Sequence, residues 1–114
     1  VPCVTPDTTL ADGLLEMSRK GLGMTVVADE AGFVVGVYTD GDLRRSLDRR
    51  LDVHAARMRD VMTHPCKTIG ARELAAEAVH LMEQHRITAL PVVDEHGKLA
   101  GALNVHDLLR AGVM

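Results

Sequence analysis

The sequence predicts a mixed α/β (α+β) fold in which two β-α-β-β-α repeats pack about a pseudo-two-fold axis. An internal repeat is the first observation: VVADEAGFVVGVYTDGDLRR, beginning at Val26, aligns without a gap on PVVDEHGKLAGALNVHDLLR, beginning at Pro91, 65 positions later. Apolar residues at helical spacing before each copy are the second, and β-branched runs around a turn within each copy are the third. A repeat of this length needs a second copy to cover its apolar face.

The first repeat begins with a helix. Leu10, Leu14 and Met17 recur at helical spacing, and either Thr8 or Thr9 can cap the helix that they define. Apolar, β-branched runs at 24–28 and 34–38 predict two strands, and the DEAG sequence between them predicts a close turn. A second helix is then expected.

That second helix should begin at Asp40 or Asp42. The other repeat follows the same order, with a short strand near 67–69, a helix over 73–85, strands at 89–93 and 99–103, and a final helix from 105. The predicted organisation is therefore a first repeat at 1–51, a charged linker at 52–60 and a second repeat at 61–114. MRDVMTHP precedes only the second repeat, so we expect an N-terminally truncated first repeat and a longer parent protein.

Composition excludes several classes of function. Aromatic residues make up 2% of the 114 residues and the net charge is −3, which disfavours base stacking and binding to a phosphate backbone. No apolar run approaches the roughly 20 residues of a membrane span. Two cysteines without metal-type spacing and six scattered histidines predict no metal site, and reduced thiols indicate a cytoplasmic protein.

The segment GVYTDGD, at 36–42, carries the candidate chemistry. Its Thr39 hydroxyl and the free N–H groups of a following helix suit a phosphate, and the Asp42 carboxylate could accept hydrogen bonds from a ribose diol. The alternative is a helix cap, in which Thr39 or Asp40 bonds the first turn and Asp42 is favoured by the helix dipole. In the second copy, GALNVHD, Asn104 replaces the threonine and Asp107 is retained, while His106 could reach a phosphate or carboxylate.

Repeats of this order with a G-h-x-T/S-x-x-D motif resemble tandem cystathionine-β-synthase-type (CBS) domains over essentially the whole chain. The resemblance implies nucleotide binding in clefts between the repeats, with the motif's aspartate on ribose and its threonine on phosphate. These roles would fall on Asp42 with Thr39 and on Asp107 with Asn104. The loop entering the second strand would contact the ligand through Gly23, Met24 and Thr25 in one copy and Thr88, Ala89 and Leu90 in the other.

A narrower resemblance comes from LLEMSRKGLGMTVV, GVYTDGDLRR and RITALPVVDEHGKLAGALNVHDLLRAGV. These strings are similar to the C-terminal part of bacterial arabinose-5-phosphate isomerases, in which a sugar-isomerase (SIS) domain precedes the CBS pair. The resemblance implies a regulatory, non-catalytic module in 3-deoxy-octulosonate (Kdo) and lipopolysaccharide synthesis. Its candidate ligands are CMP-Kdo, AMP and ATP, and no further cofactor is expected.

A structural hypothesis stands beside the regulatory one. CBS pairs associate into dimers through their helices, so this chain could be an oligomerisation module whose clefts have no physiological ligand. The helix faces involved would carry Leu14, Leu43, Leu47, Val79 and Leu108.

Overall fold

Each repeat forms a three-stranded mixed sheet flanked by helices. The computed structural model describes residues 3–20, 23–73 and 75–105. The chain divides into two units, 2–66 and 67–114. The predicted mixed α+β class is confirmed, since both helices and a sheet are present in each unit.

The first unit has the sheet order β1-β2-β3, with β1 parallel and β3 antiparallel to β2. The two predicted helices and the two predicted strands are present. A short first strand, for which no position was predicted, lies at the start. Its elements are β1 (Cys3–Val4), α1 (Leu10–Lys20), β2 (Met24–Ala28), β3 (Val34–Thr39), α2 (Asp40–Asp48) and α3 (Met58–Val61).

The second unit repeats this order, β4-β5-β6, with the same strand directions. Val92 pairs with Gly101 as Val27 pairs with Gly36, and the register shifts immediately after each valine. The internal repeat of the sequence is thus a structural repeat. Its elements are β4 (Ile69–Gly70), α4 (Ala75–His85), β5 (Ala89–Val93) and β6 (Leu99–Asn104), and the helix predicted from 105 lies outside the described residues beyond its first position.

The residues of the predicted linker, 52–60, pack on the first unit. Met58 at the start of α3 is fully buried, and its sulfur lies 2.5 Å from the position that a Cβ at Gly13 of α1 would occupy. Backbone hydrogen bonds join the segment to the N-terminal end of α1, from Leu10 N to Ala56 O and from Ala11 N to Val53 O, each 2.8 Å. The segment was expected only to join the halves; the boundaries 1–51, 52–60 and 61–114 stay predictions.

Each unit has its own apolar core, built largely without aromatic rings. The buried cluster of the first unit consists of Leu10, Met17, Val27, Tyr38 and Met58. That of the second consists of Ile69, Ala78, Met82 and Leu90. Within residues 3–20, 23–73 and 75–105, no helix has the length and apolar character that crossing a bilayer requires.

Candidate functional site

The first motif lies where β3 ends and α2 begins. Thr39 is the N-cap of α2 in an extended conformation, with φ −120° and ψ 174°. Its hydroxyl accepts a hydrogen bond from Asp42 N at 3.4 Å, and Asp42 Oδ2 accepts one from Thr39 N at 2.9 Å. This reciprocal pair is a capping box, so the helix-cap alternative that the sequence left open is realised here.

The Asp42 carboxylate is more heavily bonded than a cap requires. Oδ2 also accepts from Thr39 Oγ1 at 3.2 Å, whereas Oδ1 accepts from Arg45 Nη2 at 2.5 Å and from Thr63 Oγ1 at 2.8 Å. The residue is only 3% exposed. A buried charge is tolerated when it is paired and hydrogen-bonded, and these donors satisfy that condition.

A hydroxyl pair beneath the motif fixes the first turn of α2. The buried Tyr38 donates its phenol O–H to Ser46 Oγ at 3.0 Å, and Ser46 Oγ donates to the backbone oxygen of Asp42 at 2.9 Å. Burial raises the pKa of Tyr38, and the hydrogen-bond interaction with Ser46 opposes this in part. The phenol is therefore a structural support of the motif.

The structure brings the predicted loop residues to the same end of the sheet. Met24 pairs with Thr39 in the β2–β3 ladder, and Gly23 precedes it with φ +67°. A Cβ at Gly23 would stand 3.0 Å from Asp40 Oδ2, so the loop and the start of α2 are in contact. Thr25 is buried, and its hydroxyl has no hydrogen-bond partner within the described part of the chain.

The second motif has the same strand geometry. Ala89 pairs with Asn104 as Met24 pairs with Thr39 in the first copy, and Val105 N donates to Thr88 O at 2.8 Å. Leu90 is fully buried in the core of its unit. His106 and Asp107 lie outside the described residues, so their predicted roles stay predictions, as does the cleft between the repeats.

Sequence reasoning missed the two residues that complete the first site. Asp40 is expected from the sequence only as a helix start or helix cap, yet its carboxylate lies against the loop at Gly23. Thr63 bonds Asp42 from 21 positions along the chain, and its only sequence signal was membership of MRDVMTHP. Arg45 is exposed, and its guanidinium pairs with Asp42.

A cavity of about 300 Å³ in the second unit involves none of the predicted site residues. Among the carboxylates that line this cavity, that of Glu73 accepts a hydrogen bond from Gly70 N through Oε1 at 3.0 Å. The lining residues are Gly70, Ala71, Arg72, Glu73, Asp94 and Glu95. Among the residues that the structure describes, no group of three or more metal-ligating side chains could hold an ion.

Comparison with known proteins gives the family. The sequence model of the CBS domain family matches residues 1–49 and 58–113. The chain belongs to the CBS domain family. It is 56% identical over 114 residues, 100% of its length, to the arabinose 5-phosphate isomerase KdsD of Pseudomonas aeruginosa, of which it covers 35%. The chain thus spans about a third of the length of the curated relatives it matches.

Solved structures show the same fold. A putative signal-transduction protein with CBS domains from Burkholderia ambifaria superposes with a TM-score of 0.88 at 28% identity, covering 99% of this chain and 82% of that one. CBSX2 in complex with AMP gives a TM-score of 0.82 at 27% identity, covering 99% of this chain and 87% of that one. The CBS resemblance of the sequence is confirmed.

Proposed function

We propose that this CBS pair is a regulatory module that binds a nucleotide or nucleotide-sugar at the motif after β3. The observation that carries the proposal is the Asp42 carboxylate, buried and held beside the first turn of α2 at the aspartate position of the motif. The similar CBSX2 is described in complex with AMP, which supports the same class of ligand here.

In this proposal each part of the motif contacts one part of the nucleotide. Asp42 accepts hydrogen bonds from the ribose hydroxyls, and the Thr39 hydroxyl with the N–H groups of α2 binds phosphate. The backbone of Gly23, Met24 and Thr25 contacts the base. The corresponding residues of the second copy are Thr88, Ala89, Leu90, Asn104, His106 and Asp107.

Charge favours a ligand with few phosphates. Asp40 and Asp42 place two carboxylates at the start of α2, and the Arg45 guanidinium is already paired with one of them. Each added phosphate brings more negative charge toward these groups, which raises the energy of the complex. We therefore rank AMP and CMP-Kdo above ATP as ligands.

The wider proposal concerns the longer relatives. We infer that the module belongs to an arabinose-5-phosphate isomerase with an upstream SIS domain, acts in the cytoplasm in Kdo and lipopolysaccharide synthesis, and is itself not the catalytic part. Its similarity to KdsD supports this. Regulation then requires that the ligand bind one arrangement of the CBS pair more tightly than another.

A second candidate, helix-mediated pairing of two copies, is favoured by exposed leucines. Leu15 of α1 is 55% exposed and Leu47 of α2 is 63% exposed. Of the helix-face residues predicted for such a dimer, Leu14 and Leu43 instead pack on the core of the first unit and Val79 on that of the second. Leu47 remains available for pairing, and Leu108 lies outside the described residues.

Calorimetric titration tests the binding proposal. AMP, ATP and CMP-Kdo are titrated into the native chain, Asp42→Ala, Asp107→Ala and Asp48→Ala, which removes an exposed carboxylate from the same helix. Loss of hydrogen bonds to a charged group is worth roughly 1.5–3 kcal/mol, so Asp42→Ala should weaken binding by at least about tenfold. Asp48→Ala should not weaken it.

Thermal melts of each variant verify that it folds. Native affinity in a folded Asp42→Ala variant would return this residue to a purely structural cap. Loss of binding only in Asp107→Ala would place the ligand at the second motif. No binding of any of the three ligands to the native chain would refute the proposed function.

A further inference from the structure

The chain that follows α3 reaches back to the first motif. Thr63 pairs with Val37 of β3 through both backbone hydrogen bonds, Val37 N to Thr63 O at 3.0 Å and Thr63 N to Val37 O at 2.7 Å. Its hydroxyl donates to Asp42 Oδ1 at 2.8 Å. Residues 62–66, which lead from α3 to the second unit, are thus tied to the carboxylate of the proposed ribose site.

The acceptor capacity of Asp42 is already filled. A carboxylate offers about four lone-pair positions, and four donors occupy them in this structure. A ribose diol brings two further donors. It can bond to this carboxylate only by replacing two that are present.

The donors on the two oxygens differ in how readily they can be replaced. On Oδ2 the Thr39 N–H belongs to the cap of α2, so losing it would leave a backbone N–H without its partner, whereas the Thr39 hydroxyl turns to the phosphate in the proposed complex. On Oδ1 the donors are Arg45, whose side chain is 67% exposed, and the exposed Thr63. Both can turn to water when displaced, so at least one hydroxyl of the diol replaces a donor on Oδ1.

We infer that the Thr63 hydroxyl competes with the ribose for Asp42 Oδ1. Nucleotide binding then breaks the Thr63–Asp42 side-chain hydrogen bond, which joins residues 62–66 to the first motif. This inference rests on the proposed function. By linkage, whatever strengthens the Thr63–Asp42 bond weakens nucleotide binding by the same factor. Thr63 is in this sense a positioning residue, because it acts on the ligand through Asp42.

The test removes only the hydroxyl. Thr63→Val is nearly isosteric, and the residue is exposed, so the core is untouched. Because one net hydrogen bond of the native chain no longer has to be broken, AMP should bind Thr63→Val about two- to tenfold more tightly than the native chain. Thr63→Ser restores the hydroxyl and should return the affinity toward the native value.

A ligand without the diol separates competition from a general structural effect. 2′,3′-Dideoxy-AMP has no ribose hydroxyl to place on Asp42, so Thr63→Val should not improve its binding. Equal improvement for both ligands, or weaker AMP binding in a folded Thr63→Val variant, would overturn the inference while leaving the proposed function in place. Failure of the native chain to bind AMP, ATP and CMP-Kdo would overturn the proposed function and this inference with it.

Discussion

The two units share a strand register but differ at the outer strand that carries the repeated glycine. In the first unit the chain from Met62 to Thr63 lies against Gly36, and an added Cβ there would stand 2.8 Å from both the Met62 sulfur and the Thr63 carbonyl oxygen. At Gly101 the same Cβ would meet no heavy atom of the described residues within 4 Å. Identical residues at equivalent positions therefore do not have identical roles.

The difference extends to the motif that follows each strand. Asp42 of the first unit bonds residues from its own turn, from the next turn of α2 and from the segment after α3. That third partner arises because the chain continues past the first repeat and returns to β3. The first motif is thus both a helix cap and the attachment point of the connection between the units.

The largest expected difference comes from filling the two glycine positions. Gly36→Ala must displace the backbone at Thr63 as well as a flexible methionine, and such overpacking costs about 1–3 kcal/mol of unfolding free energy. Gly101→Ala is the matched control. With open space among the described residues, it should change stability by no more than about 0.5 kcal/mol.

Urea unfolding of the native chain and both alanine variants measures these changes. The comparison of the units would be broken if the two substitutions destabilised the chain equally. A large effect at Gly101 alone would show that its neighbours lie outside the described residues.

A smaller difference concerns the residue two positions beyond the glycine. Tyr38 of the first unit has a buried hydroxyl bonded to Ser46, whereas Leu103 and Ala111 hold the equivalent sequence positions of the second repeat. Tyr38→Phe removes one buried hydrogen bond, so it should lower the unfolding free energy by about 1 kcal/mol.

The same substitution should change how the unfolding free energy depends on pH in the alkaline range. Because burial raises the pKa of Tyr38 above its value in the unfolded chain, its contribution is complete below about pH 10 and is lost as the pH rises through the folded-state pKa. Between pH 8 and pH 11 the free energy of unfolding, measured with denaturant, should fall more steeply for the native chain than for Tyr38→Phe. Tyr38 is the only tyrosine, so its absorbance reports its own ionisation. The same pH dependence of the unfolding free energy in both proteins would contradict a stabilising role of the buried Tyr38 hydroxyl.

The local features of the fold could be predicted from the sequence. The β-branched runs at 24–28 and 89–93 form strands at those positions, and each turn between strands contains a glycine with positive φ, 93° at Gly32 and 82° at Gly97. Only glycine adopts that conformation without strain, so a DEAG or DEHG sequence specifies its own turn. Strand ends were less accurate, since β3 and β6 each include one more residue, Thr39 and Asn104.

The non-local part of the site could not be predicted. The motif spacing does bring Thr39 and Asp42 together, because a capping partner lies three positions after its N-cap, and their joint role in nucleotide binding stays a prediction. The bond from Thr63 depends on the path of the chain after α3, which no periodicity or turn signal encodes. The same holds for Met58, whose burial against Gly13 places the predicted linker on the first unit.

The smallest expected difference lies in the turns that join the strands. Asp94 Oδ1 accepts backbone hydrogen bonds from Lys98 at 3.0 Å and His96 at 2.8 Å, whereas Asp29 Oδ1 accepts one from Phe33 at 2.9 Å. Asp94→Ala should therefore lower the Tm at pH 7 more than Asp29→Ala does, and less than Tyr38→Phe does, because the Asp94 bonds are exposed.

Acid titration shows whether the Asp94 carboxylate causes this difference. The backbone N–H of Lys98, followed by that of His96, lowers the pKa of Asp94, so its stabilising effect is present above about pH 4 and is lost as the pH falls through the folded-state pKa. The Tm gap between the native chain and Asp94→Ala should shrink over that range when melts are recorded from pH 7 to pH 2.5. A gap that stays constant would mean that the charge of Asp94 does not cause the difference between the two turns.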